Sequence, residues 1–329
     1  MRLSVLSPIA VALLVSACGG SSPTTAATTK TAAVAHRQHK HRVVKPTSLA
    51  PDAAGQLPAG VQWPATAALG GHVLLMGGLD QATASVSDII SATPGTSHKI
   101  GTLPYAVHDA AGATLGGRAY LFGGGEPSYS NIVAVDPSGR ASVVGQLPAA
   151  ASDVAAGVIG GTVYVVGGYT GTVALDTIVA WSGSGTARVV GHLPHPVRYA
   201  AVAAIGGRLI VAGGTNGVDA TRAVYSFDSA GGDVRQIGLL PHGLTHAVAV
   251  ALGDRVYVIG GRGADQGTQV NTILAIDPAT GRVRGAGHLP VALSDVGAAT
   301  IGGAVMVAGG RESSGTLSRQ VYLLKPQTS

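Results

Sequence analysis

The chain has 329 residues, 46% of them apolar, enough to bury a sizeable core, and its 50 glycines lack the Gly-X-Y period of collagen. The net charge of +5 comes from the first 48 residues, where Arg2, Lys30, Arg37, Lys40, Arg42 and Lys45 stand without an acid; of 21 basic residues, 15 remain in the body against 16 acidic ones. That leaves no basic footprint for nucleic acid, and the single cysteine, Cys18, excludes intrachain disulfides and multi-cysteine metal sites.

Behind Arg2, residues 3–15 form an apolar stretch interrupted only by Ser4, Ser7 and Pro8. It is too short to cross a bilayer comfortably and suits the h-region of a secretory signal. Val15-Ser16-Ala17-Cys18, followed by Gly19-Gly20, resembles a lipobox: an aliphatic residue, two small ones, then the cysteine that receives lipid. The resemblance implies a lipoprotein signal peptide at 1–17, cleaved before Cys18, and diacylation of Cys18, which is enough for stable anchoring outside the cell membrane. An ordinary secretory signal with an incidental cysteine is the alternative. Residues 18–48 are rich in Thr, Ala and Ser and carry no hydrophobic period, so they read as a flexible basic tether. Within it, residues 36–42 (His-Arg-Gln-His-Lys-His-Arg) suit anionic headgroups or wall polymers, weak metal binding, or a plain solvated linker.

From Leu57 the chain repeats. Leu-Pro recurs at Leu57-Pro58, Leu103-Pro104, Leu147-Pro148, Leu193-Pro194, Leu240-Pro241 and Leu289-Pro290, at spacings of 46, 44, 46, 47 and 49 residues. Periods of this length point to propellers or solenoids. Within each unit a small-residue strand leads to a tight turn (Gly70-Gly71, Gly116-Gly117, Gly160-Gly161, Gly206-Gly207, Gly253-Asp254, Gly302-Gly303) suited to a two-residue hairpin. A second apolar strand then runs into another Gly pair, from Gly77-Gly78 to Gly309-Gly310. A polar loop and two further short strands complete the unit, and four strands without a helical period make one propeller blade.

The Gly pair after the second strand, with an aromatic three places before it, resembles the kelch repeat. Tyr120, Tyr164 and Tyr257 match that aromatic, whereas Leu74, Ile210 and Met306 replace it. The family's strand-four tryptophan is missing, and Trp181 falls on a third strand instead. The resemblance implies an all-β, six-bladed kelch-like propeller over residues 49–326, with a short tail at 327–329. The sixth unit stops after its third strand. Ala53-Ala54-Gly55-Gln56-Leu57-Pro58 parallels the end of a fourth strand at Val143-Val144-Gly145-Gln146-Leu147-Pro148, so an N-terminal outer strand is expected to complete the last blade.

In kelch-type propellers the residue leading into each innermost strand lines the central channel. Carried onto this chain, those positions are Trp63, Asp109, Asp153, Tyr199, His246 and Asp295, with His108 and Arg198 just before two of them. Six-fold geometry sets Trp63 opposite Tyr199, Asp109 opposite His246, and Asp153 opposite Asp295. Two aromatics with carboxylates and an imidazole between them suit a carbohydrate or a small cationic group. The competing reading is that Asp and Ser only satisfy turn backbone, above all in Ser152-Asp153 and Ser294-Asp295. Loops after the second Gly pair add Asp80, Glu126, Tyr129, Tyr169, Asn216, Asp219, Arg262, Asp265, Arg311 and Glu312 as rim residues.

A copper-radical oxidase of the kelch type needs a cysteine crosslinked to tyrosine, and the sole cysteine is at the lipid position. No phosphate loop, nucleophile elbow or zinc spacing occurs. The expectation is a membrane-tethered, extracytoplasmic recognition propeller with a monomeric body. It takes a protein, glycan or cell-wall ligand at the channel face and needs no cofactor or metal. The alternative is a sugar-processing enzyme, sialate mutarotase- or epimerase-like, on the same scaffold.

Overall fold

A computed structural model describes residues 48–327. The leader, Cys18 and the basic run at 36–42 lie outside the described residues. Within them the chain forms six four-stranded antiparallel blades and no helix. Blade two is representative: Ala111–Leu115, Arg118–Phe122, Asn131–Val135 and Ala141–Gln146, in that order from the axis outward. Gly116 and Gly117 close its first hairpin at φ 56° and 75°, with Leu115 facing Arg118. Both central residues take positive φ, as a turn matched to strand twist requires.

Blade six is built from both ends of the described chain. Gly297–Ile301, Ala304–Ala308 and Gln320–Gln327 are followed by Ser48–Gln56 as the outermost strand, with Leu49 facing Pro326 and Ala53 facing Tyr322. These strands run one residue beyond 49 and 326 at either end. Closure pairs the terminal strands and removes two open edges.

Second strands are apolar on both faces because each blade is sandwiched between two others. In Arg118–Phe122, Ala119 and Leu121 join a cluster with Ala65, Leu74 and Met76 of blade one, while Tyr120 and Phe122 join Val163, Val179 and Trp181 of blade three. Trp181 is buried edge-on against Tyr120 and Phe122, at 5.0 Å and 5.7 Å between centroids. Six such clusters, one per interface, form the core.

The second Gly pair has its own cause. The amide of Gly124 donates to the carbonyl of Ala151 in the next blade at 2.8 Å, and a Cβ on Gly123 would lie 2.2 Å from that same oxygen. The corresponding interblade bond recurs at Gly78, Gly168, Gly214, Gly261 and Gly310. These bonds fix the angle between blades and bring the starts of the innermost strands together at the axis.

Candidate functional site at the channel mouth

Trp63, Asp109, Asp153, Tyr199, His246 and Asp295 all have positive φ, between 51° and 62°. Only Thr83 among the other described non-glycine residues does the same. Left-handed backbone costs roughly 1–2 kcal/mol per residue; Asp and His tolerate it, but for Trp and Tyr it is a genuine outlier. The conformation is held by a closed backbone circuit. Asp109 N–H donates to Trp63 C=O, Asp153 to Asp109, Tyr199 to Asp153, His246 to Tyr199, Asp295 to His246, and Trp63 back to Asp295, at 2.9–3.3 Å. The circuit sets the order of the blades, so the three facing pairs expected from the sequence are the facing pairs found.

Their side chains are interlocked. The Trp63 indole N–H and the Ser294 hydroxyl both donate to the Asp295 carboxylate, and Gln269 Nε2 reaches Ser294 Oγ at 3.3 Å. Arg198 Nε pairs with Asp153, and its guanidinium lies 3.8 Å over the Tyr169 ring. Tyr199 O–H donates to Asp109 Oδ2 at 3.3 Å. His108 stands 3.7 Å from that oxygen and meets Ser85 Oγ at 2.8 Å through Nδ1. Arg262 Nη2 lies 3.1 Å from His246 Nε2. A guanidinium can only donate, so Nε2 is the acceptor and the neutral imidazole carries its proton on Nδ1.

Burial pushes Asp109 well above the usual carboxylate range, reinforced by Asp153 and Asp295 and opposed by Tyr199 and Arg198. Burial also raises Asp295, to about 6, against the bonds from Ser294 and Trp63. It raises Asp153 in spite of Arg198. His246 is driven well below its ordinary value by burial, then by Arg262 and Arg198. Two buried atoms at facing positions have no hydrogen-bond partner: Asp109 Oδ1 and His246 Nδ1. Opposed shifts gathered in one cleft are characteristic of functional sites.

The two aromatics, expected to face each other with polar groups between them, are in contact. Trp63 and Tyr199 stack at 6.1 Å between centroids, and Tyr199 stacks on His246 at 3.8 Å. Holding a third group between two rings needs roughly 7 Å, twice the optimal carbon–carbon contact distance. The rings therefore close over the axis, and the cation beside Tyr199 is the chain's own Arg198, 5.4 Å from the ring centroid. The open space lies alongside: a cavity of about 190 Å³ bounded by the six ring residues and by Thr66, Gly112, Ala156, Val202, Ala249 and Ala298 of the innermost strands.

Arg262 and Tyr169, expected only at the rim, belong to the interlocked cluster. The register that would have placed them is the first residue after the second Gly pair. There Leu79, Tyr169, Thr215 and Arg262 bridge to the residue before each ring position in their blades. Asp80 and Asn216 instead accept amides of their own loops and hold those turns. Ser152 and Ser294 do serve local polar groups, but Asp153 and Asp295 take partners from neighbouring blades. Among the described residues no group of three or more His, Cys, Asp or Glu is placed to hold a metal ion.

The Kelch motif matches residues 150–182, 196–236 and 243–285, within blades three, four and five. No curated protein matches the sequence. Among 843 matching chains of solved structures is the structure of YjhT, 16% identical, aligned over 82% of this chain and 96% of that one with a TM-score of 0.71. The chain is thus a six-bladed propeller with Kelch motifs, a scaffold too widely shared to identify an activity.

Proposed function

We propose that this protein is a recognition propeller that takes a protein, glycan or cell-wall ligand at its channel mouth, tethered to the outer face of the cell membrane through lipid on Cys18. The signal peptide at 1–17 and the tether at 18–48 rest on the sequence pattern alone. The observation that carries the binding site is the ring of strained residues: six side chains, two of them large aromatics, held at positive φ where glycine would fit without strain. The rim adds apolar contact area, since Val173 and Val218 on the mouth-side loops are 60% and 77% exposed.

The test is capture on printed glycan and peptide arrays by the full chain and by Trp63→Ala/Tyr199→Ala. Loss of capture with a retained cooperative melt supports the reading; unchanged capture removes the site. A second reading, a sugar-processing enzyme, draws on the facing pair of a raised Asp109 and a lowered His246 as acid and base. NMR of reducing sugars with and without the protein decides it: no faster anomer exchange and no product eliminates it.

A further inference from the structure

Almost every charged group in the ring already has a partner. Asp153 is paired with Arg198, Asp295 accepts from Trp63 and Ser294, and Arg262 is spent on His246 and on the carbonyls of Gly263 and Ala264. What is left over is the Nδ1–H of His246 and the Oδ1 of Asp109, on facing blades, both buried and both without a partner. Such atoms are costly unless something pairs with them. Asp109 and His246 both line the axial cavity of about 190 Å³, walled by small apolar residues, while the two orphan atoms themselves are covered. It is smaller than the roughly 300–1,000 Å³ of pockets for drug-sized ligands.

We infer that this cavity takes a single uncharged, hydroxyl-bearing unit, such as the terminal residue of a neutral glycan, toward which the two side chains turn so that it accepts from His246 Nδ1–H and bonds Asp109 Oδ1. The inference deepens the recognition reading and rests on it. A hydroxyl is favoured because it both donates and accepts, so it pairs with Asp109 in either protonation state. The three carboxylates disfavour an anion, while Arg198 and Arg262 disfavour a cation beside His246. The limited volume favours the end of a chain over its interior.

The experiment is saturation-transfer NMR on the full chain at millimolar sugar. Glucose, galactose, mannose and rhamnose are the neutral probes, with glucuronate and glucosamine as charged counterparts. Neutral sugars are expected to receive saturation. Asp109→Gly and His246→Gly should each weaken binding about tenfold, the scale of one buried hydrogen bond; glycine suits the positive φ at both positions, so the backbone is retained. Ala156→Leu fills the half-buried cavity wall without touching either orphan atom and should also abolish binding, while Lys99→Ser on the outer edge of blade one should leave it unchanged. The inference is overturned if charged sugars bind as well as neutral ones, if no neutral probe is saturated, or if both glycine variants bind like the parent. Should array capture still depend on Trp63 and Tyr199 in those cases, the recognition reading stands and only the polyol assignment falls. Should both fail, the mouth is not a binding site.

Discussion

Replacing Gly123 with alanine puts one carbon where the fold has no room for it, and replacing Gly116 in the same blade does not. Both residues have positive φ, 63° and 56°, so each substitution carries the left-handed penalty of roughly 1–2 kcal/mol. The Gly116 Cβ meets nothing within 4 Å, so its total stays near that value. The Gly123 Cβ arrives 2.2 Å from the Ala151 carbonyl oxygen, which also accepts the Gly124 amide at 2.8 Å. Relieving the clash means moving blade three away and losing that bond. This adds about 1–3 kcal/mol for overpacking and about 1–3 kcal/mol for a buried group left unpaired. Urea denaturation of the full chain is therefore expected to show Gly123→Ala destabilised by at least about 2 kcal/mol more than Gly116→Ala. Equal midpoints, or a worse outcome for Gly116→Ala, would refute the claim that the second Gly pair exists to join blades.

Removing Arg198 with Arg198→Met leaves Asp153, whose side chain is 2% exposed, without its counter-charge; a loss of roughly 3–5 kcal/mol is expected. Adding Asp153→Asn should recover most of it, and a double-mutant cycle from thermal melts measures the coupling. Asp295 titrates near 6 in the folded state, above the ordinary carboxylate range near 4. Between those values the folded chain holds a proton that the unfolded chain has released, so this group makes stability fall as pH rises from about 4 to 6, by up to about 3 kcal/mol. His246, with a lowered value, contributes the opposite slope on its acid side. The difference between parent and Asp295→Asn isolates the Asp295 contribution, and a flat difference across that window would refute it. Because Trp63 donates to Asp295 and the only other tryptophan, Trp181, is buried against Tyr120 and Phe122 between blades, indole fluorescence should titrate near pH 6 in the parent and not in Asp295→Asn.

The ring positions were legible because they sit at one register in six in-phase units, and register survives translation into blades. The closing outer strand was legible for the same reason: Leu57-Pro58 repeats the exit of every fourth strand, and Ser48–Gln56 pairs as that pattern requires. Other features depend on side-chain distances, across the axis, between neighbouring blades or between a ring residue and its loop, which strand register does not encode. The approach of Trp63 to Tyr199, the claim of Arg198 on both Asp153 and Tyr169, and the tautomer imposed on His246 by Arg262 each join different blades or loops. The contact between the two facing aromatics is such a distance, since their opposition around a ring does not say how far large side chains lean inward. The backbone circuit through the six ring residues was hidden too, because a left-handed Trp or Tyr runs against local preference and is held only by its neighbours.

Hydrogen–deuterium exchange of the full chain, with and without a ligand captured on the arrays, tests most directly whether recognition occurs at the mouth. The account predicts slowed exchange in the segments around 62–66, 108–112, 152–156, 198–202, 245–249 and 294–298, with little change at the outer strands. Protection confined to blade flanks such as Ala141–Gln146 and Arg188–His192 would contradict it and assign binding to the sides of the propeller.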